Sequence, residues 1–323
     1  MSAAWNERQE AGSNFWLNAI RNFGLRFGRG PARLTLYPIS LYFFLRRAPE
    51  RRASRQYLER VLGQPVSAWT LLRHFHCFSC TILDRLFLLS ERFKRFDIQS
   101  FGLRDLDRAL EGGQGVLLIG SHLGSFDALR VLSLERPQVP VRILLDVEQS
   151  PRLSNVLNTL NPALAASIIN ARDAGPTVAI AIKQALDQNA IVALLADRGQ
   201  PNNALQVAQF LGHPAPFPTA PWLLAAALKV PVILAFGLYR GGNRYDLHFD
   251  AFAERIVIDR NRRTEDLAQI LQRFAERLAH YARLAPYNWF NFYDFWHHDP
   301  TLSATPSAAR GAGTDAGDLL RRS

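Results

Sequence analysis

The chain has 323 residues, 48% of them hydrophobic. That is enough to bury a sizeable core, and it favours one large α/β domain with helical additions over two independent domains. Its two cysteines exclude a disulfide scaffold. The net charge of +10 points to an anionic partner, although all 38 basic residues except Lys94, Lys183 and Lys229 are arginine. A GC-rich genome produces such a skew by itself, so the distribution of charge is more informative than the total.

That distribution is uneven. Residues 1–60 hold eleven arginines against four acids, interleaved with Trp5, Phe15, Trp16, Phe23, Phe27 and Tyr37. Aromatics among arginines suggest helices that rest on an anionic membrane surface. The apolar run 34–45 lies between Arg33 and Arg46-Arg47 and falls short of the roughly 20 residues that span a bilayer. It reads either as an interfacial or re-entrant helix or as a helix packed on the core. The start of the chain lacks the basic, apolar and small-residue order of a cleavable signal peptide, so a cytoplasmic catalytic domain is expected. Next, residues 68–89 read as one long helix carrying His74, His76, Cys77 and Cys80. A closed zinc site gathers ligands from two separated segments, and a reactive Cys-x-x-Cys pair sits at a helix N-terminus. A mid-helix cluster without a second Cys/His group meets neither requirement, so no metal and no redox role is expected.

Strands and helices then alternate. Strand patterns fall at 96–100, 115–120, 139–145, 167–170, 191–196, 230–236 and 245–249. Helical patterns fall at 103–111, 126–134, 151–160, 176–188, 219–228 and 264–284. This order predicts an α/β fold, a mixed, largely parallel sheet flanked by helices. Ligands then bind at the carboxyl ends of the strands, where His122 and Asp197 both fall. Gly112-Gly113-Gln114-Gly115 precedes its strand and is a turn, so no dinucleotide cofactor is expected. The chain divides into N-terminal membrane-associated helices (1–65), the α/β domain (66–299) and an Ala/Gly/Ser/Thr-rich tail (300–323) that reads as disordered.

The stretch His122-Leu123-Gly124-Ser125-Phe126-Asp127 follows the buried strand 115–120. A histidine oriented by a carboxylate is a general base near neutral pH. Positions i and i+5 lie on different faces of a continuous helix, so contact between His122 and Asp127 requires a bend. Gly124 supplies the backbone freedom, and Ser125 is a candidate N-cap for a helix through Ala128, Leu129 and Leu132. Asp127 would then reach back to one ring nitrogen of His122. The competing reading is a loop histidine beside an aspartate that only complements the helix dipole. A Ser-His-Asp esterase is the main rival chemistry, although Ser121 stands one place early for a nucleophile elbow.

Three blocks carry a resemblance: His122 and Asp127 in H-x4-D spacing, the strand 191–195 closing on Ala196-Asp197-Arg198-Gly199, and the segment 210–221. From about Trp16 to Trp296 the chain resembles the lysophospholipid acyltransferase superfamily, and within it the late acyltransferases of lipid A biosynthesis. The resemblance implies transfer of a fatty acyl group from a thioester, on acyl carrier protein in preference to coenzyme A, to a hydroxyl of a lipid or glycolipid acceptor. His122 would take the hydroxyl proton and Asp127 would hold the imidazole. Backbone N–H groups near Gly124, Ser125 and Phe126 would face the oxyanion. Asp197 and Arg198 fall in the family's third block, where Arg198 is either a phosphate clamp or half of a structural Asp197-Arg198 pair. Arg172 has the same two readings. Pro218 and Thr219 would shape the pocket wall, or Thr219 would cap the following helix.

An enzyme of this kind would sit at the cytoplasmic face of the inner membrane, peripheral or monotopic, with no metal or cofactor. Nucleic acid is not an expected partner, since the basic residues cluster with aromatics and follow no nucleic-acid motif. One departure is plain. Lipid A enzymes generally carry a basic stretch near their C-terminus, whereas 287–296 is strongly aromatic with no base until His297-His298. Such a segment packs on the core, sits at a membrane interface or lines an acyl channel. The departure resembles a branch found with aryl polyene or polyketide-type lipid pathways, whose acceptor differs from a lipid A precursor.

Overall fold

The computed structural model describes residues 26, 28–89, 95–130, 136, 138–148, 165–173, 175–199 and 204–296. The expected helix at 151–160, the end of the 126–134 pattern and the C-terminal tail lie outside these residues.

A seven-stranded sheet forms the centre, from β1 (Asp97–Phe101), β2 (Val116–Gly120), β3 (Val141–Leu145), β4 (Ile168–Asn170), β5 (Ile191–Leu195), β8 (Val232–Gly241) and β9 (Arg244–Ala253) in the order β1-β9-β8-β2-β5-β3-β4. Every neighbouring pair is parallel except the β8–β9 hairpin. The expectation of a mixed, largely parallel sheet is met. Strand β2 reads Val-Leu-Leu-Ile-Gly and is buried throughout, as a strand covered on both faces must be. Its alternate residues divide between two cores. Val116 and Leu118 pack with Phe87, Leu106 and Leu110 on one face, while Leu117 and Ile119 pack with Ile182, Trp222 and Phe274 on the other.

Among the described residues, α1 (Arg29–Arg46), α2 (Ala48–Leu62) and α3 (Ala68–Leu89) precede the sheet. Residues 68–89 are the single long helix expected, and Cys77 and Cys80 are buried within it, with burial raising both thiol pKa values. Helix α1 packs on the core along one face only. Ala32, Leu36 and Ser40 are buried, and the Ser40 hydroxyl bonds that of Ser79 on α3, while Leu34, Tyr37, Leu41, Tyr42 and Leu45 are exposed. Among the described residues no helix is long and apolar enough to cross a membrane. The layers are completed by α4 (Leu103–Glu111), a 3-10 helix (Phe126–Arg130), α5 (Gly175–Asp187), α6 (Ala220–Leu228) and α7 (Arg263–Leu284).

A separate hairpin, β6 (Leu205–Phe210) and β7 (His213–Pro218), escapes the sequence reading. Pro214, Pro216 and Pro218 argue against a strand because each removes a ladder donor. They stand at alternate positions and pair with Gln209, Val207 and Leu205, so all three missing N–H groups point away from β6. Gln209 N–H, at one of these outward positions, bonds Gln272 Oε1 on α7 at 2.8 Å.

Asp84 on α3 ties the N-terminal helices to the sheet. Its fully buried carboxylate takes both ends of the Arg29 fork at 2.6 and 2.7 Å and the Tyr245 hydroxyl of β9 at 2.9 Å. Removing one partner of a buried pair strands the other charge, at a cost of about 3–5 kcal/mol. Asp84→Ala is therefore expected to lower unfolding free energy by about that amount in urea denaturation; a midpoint within error of the parent would show that Asp84 does not anchor α1.

Candidate active site

The parallel register Gly120↔Leu195 aligns the carboxyl ends of β2 and β5, and Ala196 N–H bonds Gly120 O at 3.0 Å to carry the pairing one residue further. Two residues past each strand end stand His122 and Asp197. His122 N–H donates to Asp197 Oδ2 at 3.0 Å, and its ring Nδ1 lies 2.8 Å from Asp197 Oδ1. Trp289 Nε1 donates to Oδ2 at 3.1 Å. An ionised carboxylate only accepts, so Nδ1 carries the ring proton and Nε2 is left as the basic nitrogen.

The loop between β2 and the 3-10 helix is pinned on both sides. Leu123 forms an antiparallel bridge with Trp289, Gly124 N–H bonds Asn288 O at 2.8 Å, and Phe290 N–H bonds His122 O at 3.0 Å. On the β8 side, Ser125 N–H bonds Gly237 O at 2.7 Å. Gly124 has φ of +77°, and a Cβ there would stand 2.0 Å from Gly237 O, so the close approach of loop and strand requires glycine.

Electrostatics favour a neutral imidazole. Burial lowers the His122 pKa and the nearby Arg198 charge lowers it further, against the opposing pull of Asp197. Burial alone would raise the Asp197 pKa, but His122 and Arg198 hold the carboxyl below its usual value. Asp197 is 0% exposed, whereas the His122 side chain keeps 33% of its surface accessible. The pair therefore presents a base, anchored on its inner edge and reachable from outside.

Asp127 is not the partner of Nδ1. It lies in the first turn of the 3-10 helix, as the bend at Gly124-Ser125 implies, but its Oδ2 takes Arg85 Nε of α3 at 2.6 Å. A permanent guanidinium charge is a stronger partner for a carboxylate than a neutral imidazole whose donor Asp197 already occupies. The expected helix cap also differs. Ser125 O accepts Ala128 N–H at 3.2 Å, while Ser125 Oγ is buried without a hydrogen-bond partner among the described residues. The amides of Gly124 and Ser125, expected to face an oxyanion, are committed to Asn288 O and Gly237 O.

The other expected residues scatter. Arg198 stands beside the pair, its Nη2 donating to Phe290 O at 2.8 Å and its guanidinium lying 5.5 Å from the Tyr293 ring centroid. Arg172 follows β4, two strands from β5, and pairs with Asp146 at 3.0 Å and Glu148 at 3.4 Å. Pro218 ends β7 opposite Leu205. Thr219 occupies the N-cap position of α6, but its hydroxyl bonds Ala204 O at 3.1 Å and not the helix amides.

Sequence reasoning missed Trp289 and what holds it. His74 Nε2 lies 3.0 Å from Trp289 O and its Nδ1 2.8 Å from Ser54 Oγ. A carbonyl only accepts, so Nε2 carries the proton. Burial lowers the His74 pKa to about 4, so the ring is neutral at pH 7. Of the three aromatic-segment readings, packing on the core describes Trp289, Phe290 and Phe295, all of which are buried.

The model of the bacterial lipid A biosynthesis acyltransferase family matches residues 87–298, more than half of the chain. The chain belongs to this family. It is accordingly an enzyme of the acyltransferase class. A comparison with curated proteins gave no significant match. The acyltransferase family match runs from the end of α3 through all nine strands and takes in His122, Asp127, Asp197 and Trp289, whereas α1 and α2 lie outside it.

Two outcomes follow for this acyltransferase. Asp197→Asn is expected to lower turnover by about 10²–10⁴-fold, at least as strongly as Asp127→Asn, because it removes the carboxylate that fixes the His122 tautomer. Steady-state turnover of both variants decides the order. If His122 is the base, activity of the parent enzyme is expected to rise with pH as the ring loses its proton, and since its pKa is lowered, the acidic limb should have its midpoint below pH 6.5. A midpoint above 6.5 would contradict the neutral-imidazole assignment.

Proposed function

We propose that the enzyme moves a fatty acyl group from an acyl carrier protein thioester to a hydroxyl of a lipid or glycolipid acceptor similar to a lipid A precursor. The observation that carries this reading is His122, a base held by Asp197 at the carboxyl end of a parallel sheet in a member of an acyltransferase family. Nε2 removes the proton of the acceptor hydroxyl as its oxygen attacks the thioester carbon, and Asp197 stabilises the imidazolium that forms. Collapse of the tetrahedral intermediate breaks the C–S bond. The departing thiolate, with a solution pKa near 8.5, takes up the proton that His122 gained. Phe126 and Asp127 open the 3-10 helix, where backbone amides have no intrahelical acceptor, and they replace Gly124 and Ser125 as donors for the oxyanion.

No protein nucleophile is required. Among the described residues no serine hydroxyl bonds His122, and the buried Ser121 Oγ accepts Leu123 N–H at 3.3 Å, which disfavours the esterase reading. The acceptor of an aryl polyene or polyketide-type lipid pathway is the second reading. It draws on the absence of a base from 287–296.

Attachment to a membrane surface, in our reading the cytoplasmic face of the inner membrane, draws on the exposed side chains of α1 for the surface contact alone. Leu34, Tyr37, Leu41 and Leu45 recur at helical spacing, and Trp69 at the start of α3 is exposed as well. This arrangement suits a helix lying in the interface.

Purified His122→Ala is expected to transfer acyl groups about 10²–10⁴-fold more slowly; near-parental transfer would refute the mechanism. Lipid mass spectrometry of cells with and without His122 names the acceptor. An acyl carrier protein is acidic, so transfer from it should weaken steeply with salt, and a salt-independent rate would count against that donor.

A further inference from the structure

Where α1, α2 and α3 meet, a cleft of about 290 Å³ is lined by Phe44, Ala48, Arg51, Arg52, Arg55 and Ala68, with Leu71 at one side. Three guanidinium groups and no carboxylate line it. Two of the arginines are fixed in place by backbone carbonyls. Arg51 Nη1 donates to Phe44 O and to Leu45 O, the latter at 2.7 Å, and its guanidinium stacks 5.4 Å from the Phe44 ring centroid. Arg55 Nη1 donates to Val66 O at 2.9 Å and lies 3.6 Å from Glu59. Arg52 is exposed and makes no hydrogen bond or ion pair among the described residues.

A guanidinium carries five N–H donors, and the described bonds of Arg51 and Arg55 engage one nitrogen of each. Donors in excess of their backbone anchors thus remain around a concave, positively charged wall. Between residues 44 and 71 the sequence has six arginines and two glutamates. Glu59 faces Arg55, and Glu50 lies 3.7 Å from Arg47. The cleft is therefore electropositive, and an anion with several acceptor oxygens matches it.

Its surroundings narrow the source of that anion. Leu45 and Trp69, the chain neighbours of the lining residues Phe44 and Ala68, are 63% and 73% exposed. An arginine cleft between exposed apolar side chains matches a lipid headgroup, whose phosphate sits beside its own acyl chains. The cleft lies wholly outside residues 87–298, so the family match does not account for it.

We propose that this cleft is a binding site for the phosphate of an acidic phospholipid headgroup, separate from the acyl-transfer site. It seats the N-terminal helices on the membrane, with Leu45 and Trp69 entering the interface on either side. The inference rests on the membrane attachment proposed above and is independent of the acyl donor and acceptor.

The test is co-sedimentation of the full chain with phosphatidylcholine vesicles, with and without phosphatidylglycerol. The parent should bind the anionic vesicles more tightly. Arg52→Ala should remove about fivefold of that preference and Arg52→Glu more, since one basic residue at an anionic surface contributes about 1 kcal/mol. Arg104→Ala, in α4 and away from the cleft, should leave the preference unchanged and so controls for diffuse charge. Inorganic phosphate should displace the protein from anionic vesicles better than chloride at equal ionic strength. Anionic preference undiminished in Arg52→Glu, or equal losses in the Arg52 and Arg104 variants, would overturn the proposal. Thermal stabilisation by inorganic phosphate that depends on Arg52, with vesicle binding that does not, would assign the cleft to a soluble phosphate and overturn the lipid source. Circular dichroism of each variant separates these outcomes from misfolding.

Discussion

The carboxylate of Asp197 is the centre on which the site depends. A buried charge is tolerated only when its lone pairs are filled, and three donors fill them here: the His122 amide, the His122 ring and the Trp289 indole. Each donor belongs to a different structural obligation. The amide is set by the β2–β5 register, the ring by the turn that follows β2, and the indole by the C-terminal aromatic segment laid across the loop. The same bonds that satisfy Asp197 also fix which nitrogen of His122 holds a proton, so one arrangement meets the cost of desolvation and sets the tautomer.

That arrangement draws in parts of the chain far from His122. Ser54 on α2 bonds His74 on α3, His74 holds the Trp289 backbone, and Trp289 holds Asp197. The neutrality of His74 matters, because a charged imidazole buried there would carry a desolvation cost. Helices outside the matched family region thus support a residue inside it. Asp84 performs a comparable service further along α3, where Arg29 and Tyr245 meet.

Much of the sheet was legible because buried parallel strands are short, apolar and bounded by turns; β2, β5 and helices α3, α4, α5, α6 and α7 fall within a residue or two of their expected bounds. The hairpin β6–β7 was not, since proline counts against a strand until the pairing shows that its missing donor faces outward. The site divides in the same way. His122 and Asp197 were both placed at strand ends, but their contact depends on β2 and β5 being neighbours, a fact of topology that no local window contains. Asp127 lay nearer in sequence and drew the role of partner, while Arg85, forty-two positions away from it, takes its charge. Trp289 gave no sequence signal beyond belonging to an aromatic cluster, and burial alone would explain such a cluster.

The bridge between Leu123 and Trp289 has a consequence for the order in which the enzyme is made. Translation proceeds from the N-terminus at about 5–20 residues per second, and Trp289 follows Asp197 by 92 residues. For several seconds the chain has its histidine and its aspartate but neither β8 and β9 in full nor the indole that completes the carboxylate and the segment that covers the loop. Until then the Asp197 carboxylate, at the carboxyl end of the interior strand β5, lacks one of its three donors. The hydrogen-bond set around His122 and Asp197 can be completed only after the aromatic segment has been made.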